Sequence, residues 1–295
     1  MVIKSEIRKF FNRIRNYLLF RLFDLKARFT SAKFPFDLTA NFVISIASYP
    51  KRDHLLPAVF EALRLQTVKP QKAILVLSKE DYSDTHLPKH VQRLEKKGIE
   101  ILWTKKNPYA VKKLVPVVEK YPEMDVITFD DENLYGSKVI EKLILARNAN
   151  AGLVIGHYGK ALHRIGNNLN MQFRFPEKAS KETPSIQVYL IGNAGILYPA
   201  DSLDHKVLNL DAISAIVPGR GSDIWFWAAA ISKGTKQLCL GTPNDRKLYV
   251  PIPQNKKTAP KDTPGVEVLE SRFQSAIDYF GIREKLVNEL PDVIA

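Results

Sequence analysis

Two periodicities divide the chain. Near the N-terminus Ile7, Phe11, Ile14, Leu18, Leu22 and Leu25 recur at three- and four-residue steps, the apolar stripe of one helix, thickened by Phe10, Leu19 and Phe23. From Asn41 the rhythm changes. Short apolar runs at residues 42–47, 73–77, 99–103 and 125–129 alternate with helical patterns at 55–66, 87–97, 110–120 and 137–148. Such alternation predicts an α/β fold, a mostly parallel sheet with helices on both faces, and right-handed crossovers leave few topologies for it.

After Asn150 the alternation is less regular. Strands are expected at 152–158, 186–191, 195–198 and 237–240, with a Trp- and Ala-rich helix at 222–233. Residues 159–185 read as a polar loop. Pro251, Pro253, Pro260 and Pro264, interleaved with Lys256, Lys257 and Lys261, mark a linker before a last helix at 266–279 that presents Leu269, Phe273 and Ile277 and ends at Gly281. The expected organisation is therefore an arm at 1–40, a catalytic body at 41–250, and a linker with a C-terminal helix at 251–295.

Charge sharpens the reading of the arm. The 295 residues carry 44 Lys+Arg against 31 Asp+Glu, a formal net charge of +13, and residues 1–36 hold +7 of it. A surplus of this size points to acidic partners. The arm is too interrupted by Arg15 and Arg21 to span a bilayer, and its apolar stretch is too short for a secretory leader. A basic amphipathic helix with aromatics suits the plane of an anionic membrane surface. Packing on its own domain or on a twin subunit is the second reading, and nucleic acid the third and not expected. Cys239 is the single cysteine, which excludes an internal disulfide or a multi-cysteine zinc site and is simplest in a reducing compartment.

The stretch richest in chemistry is Val126-Ile127-Thr128-Phe129-Asp130-Asp131-Glu132, an apolar strand running straight into three carboxylates. In open α/β sheets, strand ends of this kind face the crevice where ligands bind. Adjacent carboxylates repel one another, and a hard divalent cation, Mn²⁺ or Mg²⁺, would relieve that repulsion. A solvated turn, with Asp131 or Glu132 capping the next helix, is the plain alternative. No His-Glu-x-x-His, P-loop, Gly-x-Gly-x-x-Gly or Gly-x-Ser-x-Gly pattern occurs, so zincin, P-loop, dinucleotide-oxidoreductase and esterase-elbow readings lose their support.

The acidic triplet resembles the DXD motif of GT-A-fold nucleotide-sugar glycosyltransferases, closest to the family-2-like group of bacterial surface-polysaccharide clusters. Four other segments agree in order: Val43 to Pro50 with Lys51-Arg52; Gln66-Thr67 with Pro70 and the strand that follows; Lys112-Lys113-Leu114-Val115-Pro116; and, downstream, Gly192 to Pro199 with Ser222-Asp223-Ile224-Trp225-Phe226. Three departures stand out. Glu132 replaces the usual Asp, Ser222-Asp223 replaces an Asp-Asp pair, and Leu77-Ser78-Lys79-Glu80 replaces an Asp-Asp-Gly-Ser stretch, which leaves the base contact open.

The resemblance implies donor contacts from Ser48, Tyr49, Arg52, Lys113, Asp130 and Asp131, with Asp131 and Glu132 as metal ligands. It implies Asp223 as the base, with an N-cap as its alternative role, and acceptor-side contacts from Gly192, Asn193, Gly195 and Trp225. One of Trp225 and Trp227 is expected in the core and the other on a sugar ring or the acceptor groove, with both in the core as the plainer reading. His157 and His163 fall in the same region without an assigned role. The expected function is metal-dependent transfer of a sugar from a UDP- or GDP-linked donor to a hydroxyl of a glycan or lipid-linked acceptor, inverting as in family 2. Its place would be the cytoplasmic face of the membrane, with the enzyme held there peripherally. A non-catalytic basic adaptor on a degenerate transferase scaffold is the competing class. A nucleotidyltransferase is disfavoured, because no glycine-rich phosphate loop follows the first strand.

Overall fold

Strands covered on both faces read as near-continuous apolar runs, and the sheet is built from such runs. The structure, a computed structural model, describes residues 2–82, 87–162, 183–241, 248–254 and 266–290. From the N-terminus, α1 (Val2–Phe29) leads to β1 (Phe42–Ala47), α2 (Leu56–Arg64), β2 (Lys72–Ser78), α3 (Lys89–Lys96), β3 (Glu100–Thr104), α4 (Val115–Lys120) and β4 (Asp125–Phe129). Next come β5 (Asn133–Tyr135), α5 (Val139–Ala149), β6 (Val154–Gly156), β7 (Gly159–Ala161), β8 (Val188–Leu190) and β9 (Ile196–Tyr198). The chain closes with α6 (Leu210–Ile216), α7 (Ser222–Lys233), β10 (Gln237–Cys239), β11 (Tyr249–Pro251), α8 (Val266–Phe280) and α9 (Arg283–Glu289).

Seven strands form one sheet in the order β10-β6-β9-β4-β1-β2-β3. The run β4-β1-β2-β3 is parallel, and β9 alone is antiparallel to its neighbours β4 and β6. Two small antiparallel ribbons, β5 with β11 and β7 with β8, sit outside it. Alternation along each strand splits the side chains between two cores. Val43, Ile74, Val76 and Val126 pack with α4, α7, α8 and α9, whereas Ile44, Ile46, Leu75, Leu77 and Ile127 pack with α2, α3 and α5. The expected fold class is borne out.

The flanks depart from expectation. α1 lies against α2, burying Ala27 and Asp24 and tucking Leu19, Phe20 and Phe23 onto the core. Asn16 Nδ2 donates to Pro251 O at 3.1 Å, which ties the helix to β11. The expected stripe from Ile7 to Leu25, with Phe10, is the opposite, outward face, Phe10, Phe11 and Leu18 being 61%, 64% and 61% exposed, whereas Leu19 and Phe23, expected to thicken it, face inward. α8 and α9 are likewise part of the body, with Phe273, Ala276, Ile277, Phe280 and Leu286 buried in the same core as α7. The linker prolines and lysines from 255 to 265, and His163, lie outside the described residues.

The helix expected at 110–120 is divided. Residues Tyr109–Lys113 form a 3₁₀ turn and α4 begins at Val115, because Pro116 lacks an amide hydrogen and disfavours a helical conformation before it. That division turns Lys112 and Lys113 inward, and both side chains are buried.

Candidate active site

β1 and β4 are paired in register up to Ile46 opposite Phe129, so the residues just beyond both strands emerge side by side at one sheet edge. Ser48 and Asp131 meet there, Ser48 Oγ donating to Asp131 Oδ2 at 2.6 Å. β9 is antiparallel to β4, which brings the turn Gly192–Ala194 before it to the same edge. The first turn of α7 adds Ser222 and Asp223. Sheet topology alone thus gathers Ser48, Tyr49, Arg52, Lys113, Asp130, Asp131, Glu132, Gly192, Asn193 and Asp223.

Within this group the carboxylates diverge. Arg52 bridges Asp131 Oδ1 at 3.0 Å and Glu132 Oε2 at 2.9 Å and lies over the Tyr49 ring at 5.6 Å. Asp130 turns to Lys113, Oδ1 to Nζ 2.8 Å. Burial pulls the Arg52 guanidinium down, but Asp131 and Glu132 outweigh it and hold its pKa above the ordinary value. Lys113 follows the same pattern, burial opposing and Asp130 and Asp223 prevailing. Burial raises the Asp131 carboxyl despite Arg52 and Ser48. Both cations therefore stay charged across the physiological range.

A divalent ion needs several oxygens facing one point. Here the guanidinium of Arg52 stands between Asp131 and Glu132, and Gln254 also donates to Glu132. Among the described residues no three His, Cys, Asp or Glu side chains converge as a metal cluster. The acidic turn as folded does not fit the expected cation, and the counter-charge comes from Arg52 and Lys113.

Asp223 accepts from the Gly192 amide, N to Oδ2 3.2 Å. A Cβ on Gly192 would meet Lys113 Nζ at 2.9 Å and Asp223 Oδ1 at 3.1 Å, so only glycine lets these three groups close together. Burial raises the Asp223 pKa, Lys113 opposes that, and Asp130 adds to it. Asp223 is no N-cap: Gly221 holds that position and no side chain caps the helix. Gly195 takes φ 95° with its α-carbon against the Phe129 ring, a close approach that seats β9 on β4.

Several expectations shift. Trp225 is 0% exposed, donates Nε1–H to Val207 O at 3.0 Å and stacks on Tyr279 at 5.2 Å, so it is core and not an acceptor contact. Trp227 is core as well, stacked on Phe273. Lys112 pairs with Asp81 at 3.2 Å, away from the acidic turn, and Lys51 is exposed. His157 is buried against Val139 O.

Other residues at the site were not anticipated. Asn133 Nδ2 donates to Asn193 O at 3.1 Å, and the Asp130 amide donates to Tyr135 Oη at 2.8 Å. β11 closes over this turn, where Asn193 Nδ2 donates to Tyr249 Oη at 3.0 Å and the Ile252 amide to Glu132 O at 2.9 Å. Beside β2, buried Asp53 accepts from Tyr82 Oη at 3.1 Å and pairs with His90 at 3.0 Å, while Tyr82 meets Trp103 edge-on. An Asp six residues past the first strand was the only signal for that trio.

The fold has a counterpart among solved structures. Staphylococcus aureus TarS, residues 1–349 in complex with UDP-GlcNAc, superposes with a TM-score of 0.50 at 11% identity, covering 82% of this chain and 66% of TarS 1–349. The fold is GT-A-like. This chain thus spans just under two thirds of that TarS segment. A second structure of TarS 1–349, with UDP, gives 0.46 at 12% identity over 71% and 59% of the two chains. A CMP:2-keto-3-deoxy-manno-octonic acid synthetase with CTP gives 0.38 at 12% identity over 69% and 90%. No protein-family model and no curated protein sequence matches the chain. In the GT-A-like sheet the acidic turn after β4 lies at the strand-end edge where open α/β sheets take ligands.

Proposed function

We propose that the protein is a glycosyltransferase that moves a sugar from a nucleoside-diphosphate donor, UDP- or GDP-linked, to a hydroxyl of a glycan or lipid-linked acceptor. The observation that carries this reading is two salt-bridged cations, Arg52 on Asp131 and buried Lys113 on Asp130, with the carboxylate of Asp223 facing Lys113 at the strand-end edge of a GT-A-like sheet. The UDP-GlcNAc bound to TarS supports a sugar nucleotide as the donor.

The chemistry follows from charge. The acceptor oxygen attacks the anomeric carbon, the bond from that carbon to the diphosphate oxygen breaks, and the diphosphate leaves with the electron pair. Arg52 and Lys113 stabilise the negative charge as it grows. Asp223 takes the hydroxyl proton, and burial, which raises its pKa, makes it a better proton acceptor. A direct displacement of this kind inverts the anomeric centre.

The outward stripe of α1, flanked by Arg15, Arg21 and Arg28, is proposed to lie in the plane of an anionic bilayer on the cytoplasmic side, bringing the site to a lipid-linked acceptor. No helix among the described residues is long and apolar enough to cross a membrane.

Hydrolysis of a panel of nucleotide sugars tests the reading without knowledge of the acceptor. Wild type is expected to release UDP or GDP from at least one donor, and Asp223→Asn to lose transfer while keeping the diphosphate-dependent rise in melting temperature. A chain that neither hydrolyses any donor nor is stabilised by UDP or GDP is not a transferase, and stabilisation by anionic vesicles alone favours the adaptor.

A further inference from the structure

A cleft of about 230 Å³ lies between the C-terminal end of α1 and α3, lined by none of the acidic-turn residues or their partners and sharing only His90 with the Asp53 trio. It is too small for a sugar nucleotide, whose sites run to roughly 300–1,000 Å³. Its walls are mostly basic: Arg28, Lys89, Arg93 and Lys97, with His54 and His90 beside them and Asp24 as the one carboxylate of the lining. Few of these charges are answered. Arg28 pairs with Asp24 at 2.9 Å, His90 with Asp53, and Lys97 Nζ donates to the Ala27 carbonyl at 2.8 Å. Lys89 and Arg93 have no acceptor among the described residues. Burial and the nearby Arg64 and Arg93 hold the Lys97 pKa below its usual value, against the pull of Glu61, as befits a crowded positive site. Cations kept together without partners favour an anion between them.

The cleft also has a place on the molecule. Arg28 is three residues from Leu25 and next to Phe29, so it stands between the cleft and the outward apolar stripe.

We propose that this cleft is a second binding site that takes the phosphate ester of a headgroup, a lipid phosphate presented at the surface on which α1 lies or the same group on a small soluble molecule. The lipid source rests on the membrane reading of α1; the phosphate chemistry does not.

The experiment compares the full-length chain with a cleft reversal, Lys89→Glu with Arg93→Glu, and with an equal reversal elsewhere, Lys142→Glu with Lys236→Glu, two exposed lysines. Each is assayed by flotation with phosphatidylcholine vesicles carrying phosphatidic acid and by calorimetric titration with glycerol 1-phosphate. At about fivefold per basic group at an anionic surface, the cleft reversal is expected to weaken vesicle binding about thirtyfold or more and the control far less. Saturable glycerol phosphate binding is expected in wild type and in the control, and not in the cleft reversal.

Loss confined to vesicles assigns the occupant to lipid, and loss confined to glycerol phosphate assigns it to a soluble ester. Equal behaviour of cleft and control in both arms overturns the site. A stripe variant, Phe11→Ser with Leu18→Ser, separates the premises: if it abolishes flotation while cleft and control stay alike, the membrane reading survives and the cleft site does not. Arg93→Gln serves where the double reversal lowers the melting temperature.

Discussion

The Cβ that Gly192 lacks would stand 2.9 Å from Lys113 Nζ, closer than side-chain atoms ordinarily approach. The two residues are joined through Asp223, which accepts from the Gly192 amide and faces the same ammonium. Gly192→Ala therefore pushes the lysine and the aspartate off their positions. Because the displaced atoms end flexible side chains, the fold should survive with little change in melting temperature, whereas donor turnover should fall about a hundredfold, the cost of misplacing reacting groups by an ångström. Steady-state kinetics beside thermal melts separate the two effects.

The pH dependence of transfer follows from the same trio. Burial lifts the Asp223 pKa above the ordinary aspartate value, and Lys113 holds it lower than burial alone would. The base works ionised, so kcat should decline as pH falls through that raised pKa. Lys113→Met removes the opposing charge and leaves Asp130 repelling the base, so the acid limb should move to higher pH. A limb that stays in place, or moves toward acid, would show that some other group titrates.

Chelation is the sharpest test of how the acidic turn is neutralised. With Arg52 already bridging Asp131 and Glu132, donor hydrolysis by wild type should persist in EDTA. Arg52→Ala removes the counter-charge from both carboxylates and leaves them only the neutral donors Ser48 and Gln254, and two neighbouring uncompensated carboxylates are the kind of donor set hard cations take. That variant should lose activity by about 10²-fold or more, the scale of one lost charge-stabilising donor, with part restored by Mn²⁺. Wild-type activity that vanishes in EDTA and returns with Mn²⁺ would overturn the assignment of Arg52.

Trp225 gives the opposite signature. It is enclosed by Val207, Tyr279 and Phe280. Trp225→Ala should cost about 3–5 kcal/mol of stability. Donor kinetics in the fraction that remains folded, measured well below the melting temperature, should be near normal. An acceptor contact would instead raise KM without loss of stability.

Much of the sheet was legible because β1, β2 and β4 are mainly apolar runs, broken only by Ser45 and Thr128 in their interiors, and α7 matches its expected bounds of 222–233. The three-residue strands β5 and β11 left no periodic trace, since three positions cannot show a period. The outward stripe of α1 was read correctly as a stripe, yet periodicity does not tell which face is covered. The inward face is made by Asn16, Leu19, Phe20, Phe23 and the buried Asp24, a more polar set that fits its groove. The acidic triplet was visible as a run, but its partners were not. Successive side chains leaving a strand diverge, so Asp130 met Lys113 and Asp131 met Arg52. Trp225 was misplaced because α8, which buries it, was taken as an appendage.

The Asn16–Pro251 hydrogen bond makes the first helix a beam and not a leash. It props the ribbon that carries Tyr249 and Gln254 over Asn193 and Glu132. Trimming the chain back to Asn41 would pull out that support, and whatever the outer side of the helix touches bears on the cover of the candidate site through a single amide.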